Sequence, residues 1–121
     1  MKTRSAPEAQ DQLALLQGTL DVLILRILVF GPQHGQGIAR AIQESSDDVL
    51  LVDHGALYPA LQRLEAQKWI SAKWGTSANN RRARFYTLTR TGRGALVQQS
   101  GRWQRLADAM ARVLGPEPGR P

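Results

Sequence analysis

Residues 55–89 read GALYPALQRLEAQKWISAKWGTSANNRRARFYTLT, and two periodicities meet inside that stretch. Leu57, Leu61 and Leu64 recur at i, i+4 and i+7, and at 100° per residue Ala60 joins them, which predicts a helix from about Gly55 to Lys68 with one inward apolar face. The opposite face carries Gly55, Pro59, Gln62 and Ala66, with Tyr58 and Arg63 on the flanks, so small and polar groups leave room there for close approach. Pro59 is tolerated about one turn from the helix start, where a missing N–H costs least. At Trp69 the period changes to two. Trp69 to Trp74 and Arg84 to Thr89 alternate as strands, and Gly75 to Arg82 between them is a polar, turn-rich loop with two arginines near its end. The expectation is a hairpin with a basic tip.

Upstream, Thr19 is a candidate N-cap, and Asp21 suits the first turn of a helix that Gly31-Pro32 closes. Leu20, Leu23, Ile24, Ile27, Leu28 and Phe30 leave that helix little polar face, which marks it as the centre of the core. A second helix follows Gly35-Gln36-Gly37 with Ile38, Ala39 and Ile42 on one face, and ends near Ser45 to Asp48. Leu50-Leu51-Val52 reads as a brief extended piece. Downstream, Thr91 is a candidate N-cap for a last helix running to about Leu114, roughly 36 Å at ~1.5 Å per residue, before Gly115-Pro116 stops it. Leu96, Trp103, Leu106, Met110 and Val113 follow a heptad seam interrupted by Gln99. A helix longer than its core needs either pairs with a second copy or folds back on its own domain. The fold class is mainly α with a small β-hairpin, in the order of a winged helix-turn-helix domain plus a C-terminal dimerisation helix. Its expected parts are a flexible arm (1–12), a winged helix-turn-helix domain (13–90), the dimerisation helix (91–114) and a disordered tail (115–121).

Composition narrows the chemistry. A chain of 121 residues suits one core of this size. The absence of cysteine excludes disulfides, thiolate catalysis and Cys-ligated zinc, and suits a reducing cytoplasm. The opening residues lack an apolar signal core, and the longest apolar run, Val22 to Phe30, is interrupted by Arg26 and far short of the ~20 residues a membrane span needs. A soluble, cytoplasmic protein is expected. The formal charge is +6, and between Glu65 and Asp108 there is no acidic residue, while Lys68, Lys73, Arg81, Arg82, Arg84, Arg90, Arg93, Arg102 and Arg105 lie there. Such a cation field favours an anionic partner. His34 and His54 stand without Cys and without a carboxylate or histidine at ligand spacing, which favours cap or turn roles. No phosphate-binding loop or nucleophile elbow occurs. Neither enzyme activity, metal nor cofactor is expected.

The segments Leu16 to Asp21, His34-Gly35, Gly55 to Glu65, and Asn79 to Thr89 with Gly92 together resemble the PadR family of transcription regulators over roughly residues 13–114. The resemblance implies a homodimeric repressor that binds a palindromic promoter site in double-stranded DNA, with the Leu57 to Leu61 helix in the major groove and the hairpin wing on the backbone or minor groove. It departs from the family pattern at Gln36, where an aromatic is usual, at Ala56 for Ser, and at Lys68 for Gly, the last adding charge close to DNA.

On this reading Tyr58 donates to a phosphate, or is a half-buried core tyrosine. Pro59 lies on the inserted face. Arg63 reaches phosphate or guanine, or pairs with Glu65 or Asp53. Asn80, Arg81 and Arg82 form the wing tip, with Lys73 and Arg84 bordering it as phosphate contacts. Gln62 reads a base or is solvated surface. Trp103 packs in the dimer interface or lines a pocket for an unknown small-molecule effector, as the resemblance allows. Two rivals remain: a winged-helix protein-interaction module without specific DNA binding, and an RNA-associated protein, against which the chain lacks aromatic-basic stacking runs.

Overall fold

The computed structural model of this chain describes residues 18–116, so the arm expected over 1–12 and the tail beyond Pro116 lie outside the described residues. The first described helix, α1 (residues 18–27), tightens into a 3-10 turn over Leu28–Phe30. Thr19 is inside this helix and is not the cap its residue type suggests. Gly31 does end the element: its φ of 133° suits a residue without Cβ, and its N–H closes on the Leu28 carbonyl at 3.3 Å. Ile24, Leu25 and Leu28 are buried, as a core helix requires. Phe30 is not. It is 77% exposed, with the Arg26 guanidinium 5.2 Å above its ring.

A two-residue strand, β1 (Gln33–His34), leads into α2 (Gly35–Ser45). The His34 ring nitrogen Nδ1 accepts from the Gly37 N–H at 3.1 Å, satisfying one of the donors a helix start leaves open. Ile38 and Ile42 are buried. The helix then unwinds through Asp47 and Asp48, both at positive φ, which short polar side chains tolerate better than most. Leu50 to Val52 form no strand, and Leu51 stays exposed.

Helix α3 (His54–Ala66) buries Leu57, Ala60, Leu61 and Leu64 almost completely, the four positions its periodicity selects. Pro59 is the sixth helical residue rather than a first-turn one, so the Gly55 carbonyl loses its i+4 donor; both residues are exposed, which leaves that carbonyl to water. Lys68 closes the helix at φ 64°, with its N–H on the Glu65 carbonyl and the Trp69 N–H on the Leu64 carbonyl. This left-handed turn is the reason glycine suits the position.

Strands β2 (Ile70–Thr76) and β3 (Arg82–Leu88) form the antiparallel hairpin, and β1 pairs with the other edge of β3 through Gln33↔Tyr86 and His34↔Phe85, giving the order β1-β3-β2. The strands run further toward the tip than the alternation suggests, leaving a loop of only residues 77–81. In the β2–β3 register Ile70, Ala72 and Trp74 oppose Leu88, Tyr86 and Arg84 on one face, while Ser71, Lys73 and Gly75 oppose Thr87, Phe85 and Ala83 on the other. The first face starts in the core and becomes solvent-exposed at Trp74. Lys68 sits at the base of the hairpin, so its charge is not added at the basic tip.

Helix α4 (Arg90–Leu114) is capped by Thr89, not Thr91: the Thr89 hydroxyl oxygen accepts from the Gly92 N–H at 3.0 Å and its O–H faces the Lys68 and Trp69 carbonyls. A Cβ at Gly92 would overlap the Trp69 carbonyl oxygen, so glycine lets α4 cross the α3–β2 junction. Ala95 and Leu96 enter the core; beyond them no residue of α4 is fully buried over a length of 18 residues or about 27 Å. Three helices, a three-stranded wing sheet and a long C-terminal helix make a winged helix-turn-helix fold that is mainly α. No helix among the described residues is long and apolar enough to cross a membrane.

Candidate nucleic-acid interface

Both flanks of α3 border a hollow, and the two are built from different elements. On the hairpin side a cleft of about 610 Å³ lies between the N-terminal parts of α2 and α3 and the core-derived face of the hairpin. Tyr58 enters it from α3, 43% exposed, in a T-shaped contact with the His54 ring at 6.1 Å between centroids. Gly35 makes room for that ring, since a Cβ there would stand 3.0 Å from the Tyr58 hydroxyl. Arg40 and Gln36 reach the cleft from α2, and Trp74, Arg81 and Arg82 from the hairpin. No carboxylate lines it. Among the described residues Arg40, Arg81 and Arg82 have no ion-pair partner.

The remaining arginine of the cleft is held. Arg84 donates to Glu65 of α3 at 2.8 Å, so the one acid that precedes the long acid-free stretch clamps the hairpin to α3. Tyr86 closes the floor of the cleft, and burial pushes its phenol above the ordinary value, which keeps the hydroxyl protonated. At the tip the Ser77 N–H donates to the Arg81 carbonyl at 2.7 Å and the Asn80 N–H to the Ser77 carbonyl at 2.9 Å. Asn80 supplies the positive φ, 60°, that this turn needs.

On the opposite flank Arg63 points away from the hairpin. Its Nη2 donates to Asp21 of α1 at 2.9 Å, a partner 42 residues distant and neither of the two carboxylates near it in sequence. The pair lines a cavity of about 570 Å³ bounded by α1, the end of α3 and α4, with Trp69, Trp103 and Leu106 as its apolar wall. Burial raises Asp21 above its ordinary value, and the hydrogen bond and charge of Arg63 only partly counter that.

The structure therefore brings Tyr58, Arg81, Arg82 and Arg84 together, and separates two other residues from them. Arg63 is committed to α1. Lys73 lies on the far face of the sheet, opposite Phe85. Pro59 and Gln62 are exposed on the outward face of α3. Arg40, Gln36 and Trp74 are the cleft residues that the sequence reading passes over. Arg40 lies on the polar side of α2, away from Ile38 and Ile42, which signals exposure but not direction. Along α4 Leu96 packs into the core of its own chain, while Trp103, Leu106, Met110 and Val113 are 45%, 36%, 49% and 86% exposed.

Residues 24–98 match the model of the Transcriptional regulator PadR-like family. Among solved structures, a PadR family transcription regulator from Clostridium difficile is 28% identical over 79% of this chain and 98% of that one, with a TM-score of 0.66. A PadR-like transcription factor from Bacteroides fragilis is 25% identical, covering 86% and 98%, at a TM-score of 0.69. A transcriptional regulator from Clostridium thermocellum shares the fold at a TM-score of 0.75, with 24% identity over 84% and 99%. An uncharacterised protein of Lysinibacillus sphaericus is 24% identical over 94 residues, 78% of this chain and 86% of that protein. The family match spans both the helix-turn-helix and the wing that carries the arginine cleft: this chain belongs to the PadR-like family, and is a DNA-binding transcription regulator.

Proposed function

We propose that the chain acts in the cytoplasm as a homodimeric repressor, binding a palindromic promoter site and blocking RNA polymerase. The single observation that carries this reading is the cleft between α3 and the hairpin, where Tyr58, Arg40, Arg81 and Arg82 converge without an opposing carboxylate. The outward face of α3, with Pro59 and Gln62, enters the major groove, and the hairpin tip tracks the adjacent phosphates or minor groove. Arg84 contributes charge from its clamp on Glu65, whereas Arg63 and Lys73 take no direct part.

The second copy is called for by α4. Trp103, Leu106, Met110 and Val113 form an exposed apolar stripe on a helix with no fully buried residue past Leu96. Pairing two such stripes about a twofold axis hides them and sets two recognition helices about one DNA turn apart. The cavity beside Asp21 and Arg63 is where a small-molecule effector would sit. It draws on α1, α3 and α4 together, so its walls are more complete than Trp103 on one helix would provide.

Anisotropy titration against the promoter upstream of the gene, with scrambled duplex as competitor, tests the proposal. Three arginines per protomer give about six phosphate contacts per dimer, a slope of log K on log salt near −5, and roughly a thousandfold loss between 50 and 200 mM. Equal, weak binding to both duplexes would instead favour a protein-interaction module. Light scattering at the mass of one chain would remove the dimer.

A further inference from the structure

Trp74 is 57% exposed, and nothing in the core requires an indole there. It is the residue at which the inner face of the hairpin leaves the hydrophobic core: Ile70 is buried, Ala72 is half-buried, and Trp74 stands in the arginine cleft. Two arginines are within its reach. Arg84 is directly opposite across the strands, and Arg82, opposite Thr76, is its diagonal neighbour. Glu65 takes Arg84 at 2.8 Å, and it is Arg82 whose guanidinium lies over the indole, 5.1 Å from the ring centroid.

The two arginines are thereby held in chemically different ways. A carboxylate holds a guanidinium by its N–H edge and occupies part of the donor set that a phosphate would use. An aromatic face holds it through the π-system and leaves all of those edges free. We propose that Trp74 is a positioning residue for DNA binding: it stacks Arg82 so that the guanidinium is fixed in direction while its donors remain available to the DNA backbone. The inference rests on the DNA-binding reading above. Arg81, one residue earlier in the turn, has no such support among the described residues and serves as the control.

Equilibrium anisotropy on the full-length protein, with specific and scrambled duplexes over a range of salt, tests this through Trp74→Leu, which keeps apolar bulk and removes the π face. Thermal melts verify that each variant is folded, and Trp74→Phe, which restores a ring, serves where the leucine variant is unstable. Trp74→Leu is expected to weaken binding about three- to fivefold and to lower the salt slope toward that of Arg82→Ala, while Trp74→Phe keeps most of the affinity. Added to Arg82→Ala, Trp74→Leu should cost nothing further; added to Arg81→Ala, it should cost its full factor. Wild-type affinity for Trp74→Leu, or equal multiplication with both arginine variants, overturns the positioning role while leaving DNA binding intact. A wild-type protein that binds neither duplex overturns both.

Discussion

The two flanks of α3 border hollows of similar size, about 610 Å³ toward the hairpin and about 570 Å³ toward α4, and each combines arginine with aromatic side chains. They differ in where the carboxylate stands. Asp21 is inside the α4-side cavity and consumes Arg63, whereas the hairpin-side cleft holds no acid and its one ion pair is made to Glu65 outside its lining. Tyr58 and Arg63, five residues apart on one helix, are assigned to these two environments by what packs against each flank. On the proposed reading, an arginine on α3 is available to DNA only where its own fold leaves it unpaired.

The sharpest way to break the comparison is to exchange the expected effects of its arginines. Replacing Arg81 and Arg82 with alanine should lower DNA affinity about a hundredfold at moderate salt and reduce the salt slope by up to about 3.6 for the four charges lost per dimer, with the melting temperature unchanged. Arg63→Ala should do the reverse. It leaves half-buried Asp21 without its donor, so urea denaturation should show a loss of about 1–2 kcal/mol while anisotropy shows affinity within about twofold of wild type. If Arg63→Ala abolished binding and left stability untouched, the two flanks would have been assigned the wrong way round.

The pH dependence of stability sharpens the α4 side further. The folded state raises Asp21 above 3.8, so it favours the neutral carboxyl. The resulting contribution is fully present below the unfolded pKa and is lost as pH rises through the higher folded value. The stability of the wild type relative to Asp21→Asn should therefore be greatest in acid and decline toward neutral pH, where the asparagine variant, still able to accept from Arg63, is at least as stable. A relative stability that rose with pH would mean that the ion pair outweighs burial. The smallest effect is at the end of α3: Lys68→Gly relieves a left-handed backbone and should add up to about 1 kcal/mol by the same denaturation measurement, with the DNA affinity unchanged because the residue lies at the base of the hairpin.

Much of this architecture is legible along the chain. The inward face of α3 repeats Leu57, Ala60, Leu61 and Leu64 at helical spacing, and the alternation around Trp69 to Trp74 and Arg84 to Thr89 announces a hairpin, because both signals are carried by neighbours a few residues apart. The errors are of another kind. Thr89 and Thr91 are equally good caps by type, and only the point where β3 hands over to α4 makes Thr89 the one that meets the Gly92 N–H. Strand β1 has two residues and no period of its own; it exists because β3 presents a free edge to Gln33 and His34. Phe30 counts as core by hydrophobicity, yet the 3-10 turn that follows the buried Leu28 leaves it 77% exposed.

For the candidate interface the division is the same. Tyr58, Arg81 and Arg82 can be singled out from residue type and position in a helix and a turn, but Arg40 and Trp74 join them only when α2 and the hairpin are brought side by side. By itself, then, the amino-acid order determined the helix–helix–helix–hairpin–helix succession, the four core positions of α3 and the concentration of positive charge after Glu65, since local periodicity and composition need no knowledge of distant contacts. Only the tertiary structure decided which charges remain free: Arg63 meets Asp21 from 42 residues away and Arg84 meets Glu65 from 19, and ion pairing depends on a few ångströms of packing that no local pattern encodes.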